Sequence, residues 1–170
     1  MIISEFIVAD EPENEAERLA LVIAYELGSG NLPPDAQLQA LIAETVARFQ
    51  MPIVQVSIIT ADEQRFRAGT GLEAASTPRS VSFCGHAILG AAPLIVEDTL
   101  IDLRFAGNPL VVGRPNLRFY AGAPLIAGEG LALGSLCVMD ILPRAFSSGD
   151  AEELVVLAAA VMARLVALRP

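Results

Sequence analysis

Few side chains in this 170-residue sequence could do covalent chemistry. Cys84 and His86 are the pair that suggests itself. A nucleophilic thiol needs an imidazole in hydrogen-bond contact and a third group to orient the ring. Residues two apart on a helix do not face each other, so the spacing favours a buried free cysteine and a hydrogen-bonded histidine over a catalytic couple. One His, two Cys (Cys84 and Cys137) and scattered carboxylates show no metal-ligand spacing, and neither a metal nor a cofactor is expected. Gly69-Thr-Gly71-Leu-Glu-Ala74 superficially fits the glycine pattern of dinucleotide sites. Such a motif must open a helix, and here Ser76-Thr77-Pro78 follows instead. What remains is binding. Asp98, Asp102, Arg104 and Arg118 fall near Phe105, Phe119 and Tyr120. The stretch Asp98–Pro115 is irregular and, at about eighteen residues, long enough to roof a pocket. Polar groups above an apolar cavity would suit a small ligand. The alternative is that these aspartates and arginines pair with one another and pin the loop.

The elements that must hold these residues can be read from periodicity. Asn14 followed by Glu17 is a capping pair, and a helix is expected from about Glu15 to Leu27, ending at Gly28-Ser-Gly30. A second helix, about Asp35–Phe49, carries Leu38, Leu41, Ile42, Val46 and Phe49 on one face. Pro52–Thr60 is rich in β-branched residues and reads as a strand, and Gln64–Gly69 returns as a more polar one. Residues 69–80 read as loop, Cys84–Ala91 as a short helix and Leu94–Glu97 as a short strand. Leu117–Leu125 and Leu131–Val138 are strands joined as a hairpin through Gly128-Glu-Gly130. Ser147 and Asp150 cap a last helix running to about Leu168. Strands joined by turns, with helices at both ends, predict an α+β fold around an antiparallel sheet.

Composition limits the possible partners. Net charge is −9 and mean hydropathy +0.54, and all 11 basic residues are arginine. Six of the twenty acids precede Arg18, so the sequence divides into an acidic lead-in, 1–13, and a single domain, 14–170. The remaining fourteen acids face eleven arginines, a net of only −3. Neither nucleic acid nor an anionic membrane is an expected partner, since both need a basic patch. The longest apolar run, Leu154–Ala163, is ten residues, about half a membrane span. The start lacks the basic region of a signal peptide, which makes a cytoplasmic location the expectation. Leu19–Tyr25 is an unbroken apolar run. In the last helix Leu154, Ala158, Val161, Leu165 and Leu168 make one stripe, and Val155, Met162 and Val166 a second. Helices apolar nearly all round must be covered on more than one side, by internal packing or by a second copy of the chain.

Several runs resemble the GAF domain family. They are Phe83-Cys-Gly-His86-Ala-Ile, Val96-Glu-Asp98, Asp102-Leu-Arg104-Phe105-Ala-Gly-Asn108-Pro109-Leu-Val, Arg118-Phe-Tyr-Ala-Gly-Ala-Pro124-Leu, and Gly134-Ser-Leu-Cys-Val-Met-Asp140 with Pro143-Arg144. The resemblance is to the subgroup at the N-terminus of bacterial sensor histidine kinases and diguanylate cyclases, and Asn14-Glu-Ala-Glu-Arg18-Leu resembles that subgroup's leading helix. It implies a central sheet of five or six strands, with terminal helices on one face and a roof of loops and short helices on the other. It implies a non-enzymatic signalling module that binds an unknown small molecule and forms a homodimer through the terminal helices. Cys84, His86, Asp98, Asp102, Arg104, Phe105, Arg118 and Tyr120 would then line the ligand site, with the arginines anchoring an anionic group.

Other GAF functions fit less well. Bilin-binding relatives attach chromophore through a Cys directly followed by His, and here Gly85 intervenes. The Lys-bearing signature of cyclic-nucleotide GAF domains cannot exist in a Lys-free chain. A redox enzyme of the free methionine-R-sulfoxide reductase type is an alternative, since Cys84 sits where one of its cysteines would. The catalytic cysteine expected in the later loop is missing, however, and Cys137 falls in a core strand. A second alternative is a module kept for dimerisation alone.

Overall fold

A computed structural model describes residues 5–29 and 33–169. The first four residues of the lead-in and Gly30, expected to end the first helix, lie outside the described residues. Helices α1 (Glu15–Ala24) and α2 (Ala36–Phe49) come first, followed by strands β1 (Ile53–Ile59), β2 (Glu63–Thr70) and β3 (Ser76–Pro78). The short helix α3 (Phe83–Ala87), strand β4 (Leu94–Val96) and helix α4 (Pro109–Val112) make up the middle. Strands β5 (Phe119–Ile126) and β6 (Ala132–Asp140) form the hairpin, and helix α5 (Ser148–Leu168) closes the chain. Six strands form one antiparallel sheet in the order β3-β2-β1-β6-β5-β4. This is the α+β architecture expected.

The period-two alternation of strands sends successive side chains to opposite faces and so makes two cores. On one face Val54, Val56 and Ile58 of β1 and Leu136 and Val138 of β6 meet α1, α2 and α5. On the other, Ile53, Ile59, Cys137 and Met139 meet α3, α4 and the connections around them. The stripe expected on α5 is largely confirmed: Leu154, Ala158, Val161 and Leu165 are buried, joined by Met162. Val155 and Val156 remain 43% and 68% exposed.

Ion pairs fix the helical layer. Asp35 caps α2 through Leu38 N and binds Arg164 of α5 at 2.6 Å, contacts that hold its carboxyl below the usual range, Arg164 foremost. At the opposite end Arg48 of α2 pairs with Asp150 and Glu153 of α5, so the two helices run antiparallel. The Ser147–Asp150 capping box is present. Arg144 binds Asp140 and donates to the carbonyls of Phe49 and Gln50, satisfying acceptors that the end of α2 leaves open.

Three local expectations need correction. Asn14 makes no side-chain cap, because its backbone (φ −100°, ψ 30°) is not extended. Helix α1 ends at Ala24 rather than Leu27, since Glu26 adopts a positive φ of 54°. Residues 69–80 are not all loop: Ser76–Pro78 pairs with β2 as the sixth strand.

Candidate functional site

The site is built on the roof-facing side of β1, β5 and β6. There β1 presents Gln55 and Ser57, while β6 presents Ser135 and Cys137 directly opposite them. Cys137 also faces Gly122 of β5. All of these polar residues are buried. Tyr120, two residues before Gly122 and on the same face, lies over that glycine. A Cβ at position 122 would fall inside contact distance of the Tyr120 hydroxyl, so this ring position requires glycine.

Above them, Ser82 accepts from Gly85 N and caps α3, and it donates to the Gln64 side chain, which itself donates to Thr77. This chain fixes α3 so that Cys84 points down at the sheet. The Tyr120 hydroxyl donates to Cys84 Sγ at 3.1 Å and the Ser135 hydroxyl donates at 3.0 Å. Cys137 Sγ lies 3.8 Å from Cys84 Sγ. Burial alone raises the Cys84 thiol, but its contact with Cys137 and the hydroxyls of Ser135, Ser57 and Tyr120 outweigh it and bring it down to about 7. Cys137 is pushed up by its contact with Cys84 and by burial, and Tyr120 by burial and the two cysteines.

A cavity of about 140 Å³ opens beside this cluster. The buried Phe83, Cys84, Tyr120 and Met139 line its inner part, and the half-buried Leu72 and Leu110 line it nearer the surface. Gln64, Thr77 and Arg114 supply the few polar groups. Two of the eight residues expected at a ligand site, Cys84 and Tyr120, therefore meet at the cavity.

The other six stand apart from it. Phe105 stacks on the far side of Phe83, with ring centroids 4.1 Å apart, and His86 contacts Phe105 edge-on. His86 Nε2–H donates to the Ile7 carbonyl at 2.9 Å, tying the lead-in to the roof, and burial lowers the imidazole pKa. Arg118 binds Asp98 at 3.1 Å and Arg104 binds Asp102 at 2.7 Å. Asp98 also accepts from Leu100 N, and Asp102 from Arg104 N. These four pin the middle of the chain, which is the second of the two readings their spacing allowed. Gln64, Thr77, Leu110, Arg114, Ser57, Ser135 and Gly122 were not anticipated. The available signal was parity: Gln55/Ser57 and Ser135/Cys137 are polar or thiol positions at period two within otherwise apolar strands.

A second buried charge cluster secures α1. Arg18, only 1% exposed, donates through Nε and Nη2 to Glu15 and through Nη1 to the Ile59 carbonyl. Arg79 also binds Glu15 and donates to the Thr60 carbonyl at 2.9 Å. Burial pushes the Glu15 carboxyl up, but the two arginines prevail and take it to about 2.

Comparison with known proteins agrees with this architecture. The GAF domain family profile matches residues 15–165. A cyclic di-GMP phosphodiesterase of Pseudomonas aeruginosa is 45% identical over 159 residues, covering 93% of this chain. The chain spans only 27% of that relative. Among solved structures, the GAF domain of an Acinetobacter phosphoenolpyruvate-protein phosphotransferase has a TM-score of 0.63 at 19% identity, covering 93% of this chain and 98% of that one. A type II free methionine-R-sulfoxide reductase from Thermoplasma acidophilum has a TM-score of 0.65 at 14% identity, covering 79% and 93%. At these identities the structural likeness concerns the fold alone. No helix among the described residues is long and apolar enough to cross a membrane.

Proposed function

The chain belongs to the GAF domain family, and on that premise we propose that it is a non-enzymatic regulatory domain that senses a small molecule. The observation that carries this reading is the cavity of about 140 Å³ between α3, α4 and the sheet. Cavities near 150 Å³ lined by apolar side chains accept a single aromatic ring. The ligand is accordingly ring-sized and mostly apolar, with any polar substituent directed toward Thr77 or Arg114. Asp98, Asp102, Arg104 and Arg118 satisfy one another in ion pairs, so the ligand owes little to an anionic group. In a protein built like the Pseudomonas phosphodiesterase, a domain of this length would leave the enzymatic work to the rest of the chain and regulate it.

Thermal unfolding with benzene, phenol and benzoate as probes tests the proposal. A probe at a hundred times its Kd adds about 2.7 kcal/mol, or about 5–10 °C in Tm for a chain of this size. Leu72→Trp, at the cavity rim, should abolish the shift without lowering the unliganded Tm by more than a few degrees. Absence of any shift, or an equal shift in the variant, would refute the site.

A second reading concerns assembly. The adjacent Val155 and Val156 on α5 and Ile23 on α1, 76% exposed, leave apolar side chains of the terminal helices uncovered. We propose that a homodimer covers the α5 pair.

A further inference from the structure

We propose that Cys84 and Cys137 are a reversible dithiol–disulfide site, oxidised by a hydroperoxide that enters through the cavity. The two cysteines are 53 residues apart in sequence and come from different elements, the roof helix α3 and the central strand β6, yet their sulfurs lie 3.8 Å apart. Closing a disulfide requires an approach of about 1.8 Å, to the usual S–S length of ~2.05 Å. Strand β6 is hydrogen-bonded on both sides, by β1 and β5, so the five-residue helix α3 is the side free to make that movement.

The surroundings assign different roles to the two sulfurs. Two hydroxyl donors, Tyr120 Oη and Ser135 Oγ, converge on Cys84 Sγ, an arrangement suited to a thiolate. Cys137 instead directs its S–H toward the Gln55 carbonyl at 3.6 Å and keeps its proton. The lowered pKa of Cys84 and the raised one of Cys137 agree with this division. Buried cysteines are usually inert because nothing reaches them, but Cys84 lines the cavity, whose volume of about 140 Å³ holds a peroxide easily.

In the reaction, Cys84 thiolate attacks one peroxide oxygen and the O–O bond breaks. This gives a sulfenic acid, and the departing oxygen leaves as water, or as an alcohol from an alkyl hydroperoxide, after taking up the proton the thiol had released. The Cys137 sulfur then attacks Cys84 Sγ and the S–O bond breaks. The hydroxide formed takes the Cys137 proton and leaves as a second water. Two thiols are oxidised by two electrons and one hydroperoxide is reduced. A dithiol reductant reverses the step by exchange. The site rests on the geometry of the pair and does not depend on the cavity holding a separate ligand.

The test uses the purified 170-residue chain, reduced, freed of reductant and exposed to hydrogen peroxide near pH 7.5. After denaturation, intact mass spectrometry should show a loss of two hydrogens and no uptake of N-ethylmaleimide, both reversed by dithiothreitol, with the chain monomeric on a non-reducing gel. Cys137→Ser should stop at a sulfenic acid trapped by dimedone, and Cys84→Ser should form neither product. Tyr120→Phe should slow oxidation several-fold and shift its pH–rate profile to higher pH, whereas a merely structural role for Tyr120 would leave the profile in place. Two alkylatable thiols remaining in the peroxide-treated wild type would overturn the proposal, as would disulfides only between chains. Either result is decided on the wild type, whether or not the variants fold.

Discussion

Glu15→Gln separates the electrostatic account of α1 from a purely apolar one. The carboxylate accepts from Arg18 Nε at 2.8 Å, from Arg18 Nη2 at 2.9 Å and from Arg79. A glutamine offers one acceptor oxygen and turns an NH2 group toward two guanidiniums. Arg18, 1% exposed, keeps the Ile59 carbonyl but must share the single glutamine oxygen with Arg79, so at least one of its buried N–H groups loses the acceptor it has in Glu15. Removing one partner of a buried pair costs about 3–5 kcal/mol. Linkage supplies an independent figure. The Glu15 pKa falls from 4.5 to about 2, which at ~1.36 kcal/mol per unit comes to about 3.4 kcal/mol, or about 2 after allowance for solvent screening. The expected loss is therefore about 2–3 kcal/mol, a large part of a typical domain's stability, with Tm lowered by about 4–12 °C. Because the folded pKa is depressed, this contribution is fully present above pH 4.5 and disappears as pH falls toward 2. Urea-unfolding curves from pH 7 down to pH 2.5 should show wild type and variant far apart at neutral pH and converging in acid. Equal midpoints at pH 7, or a gap that stays constant with pH, would refute the reasoning.

Gly122→Ala places a methyl against the Tyr120 hydroxyl and should lower stability by about 1–3 kcal/mol, read by thermal melts; an unchanged Tm would mean the ring does not depend on that gap. Val156→Glu, on the exposed side of α5, should convert a dimer to monomer in sedimentation velocity while Tm at low concentration stays within a few degrees; a wild type already monomeric at high concentration rules out that interface. Val161 cannot serve for this test, since it is fully buried and a charge there would unfold the chain. His86→Ala removes the donor to the Ile7 carbonyl and should speed amide hydrogen exchange around residues 5–10, leaving the exchange of β5 and β6 unchanged; equal exchange in the lead-in would show that the roof holds it by other contacts.

The helices and the central strands were legible because periodicity reports burial directly. Leu38, Ile42 and Phe49 on α2 are buried, and the β1 run packs on both faces, as its composition implied. Strand β3 was not legible: three residues ending in proline carry no periodic signal, and only pairing with β2 makes them a strand. The site was half legible for a related reason. Its location, the irregular middle above the sheet, follows from loop length and aromatic content. Its members depend on which short segment folds inward, and that is set by contacts distant in sequence, such as Asn108 capping α4 while donating to the Val81 carbonyl. The aspartates and arginines attracted attention because charged residues suggest binding. Spaced within reach of one another, they satisfied each other instead.

That outcome decides how the cavity recognises anything. The polar groups nearest its floor are already engaged: Tyr120 and Ser135 donate to one sulfur, Gln64 bridges Ser82 and Thr77, and the charged pairs close the loop elsewhere. Taking a donor from the sulfur would strip a buried acceptor of its partner, which costs about 1–3 kcal/mol before any gain from a ligand is counted. A ligand at the floor is therefore selected by shape and apolar contact, and polar selectivity is confined to the rim at Arg114 and Thr77. The same engagement keeps the two sulfurs close and unequal. A cavity floor whose polar groups are all engaged and a cysteine with several donors are thus two consequences of one arrangement, fixed by the parity of β5 and β6 and by the missing side chain at Gly122.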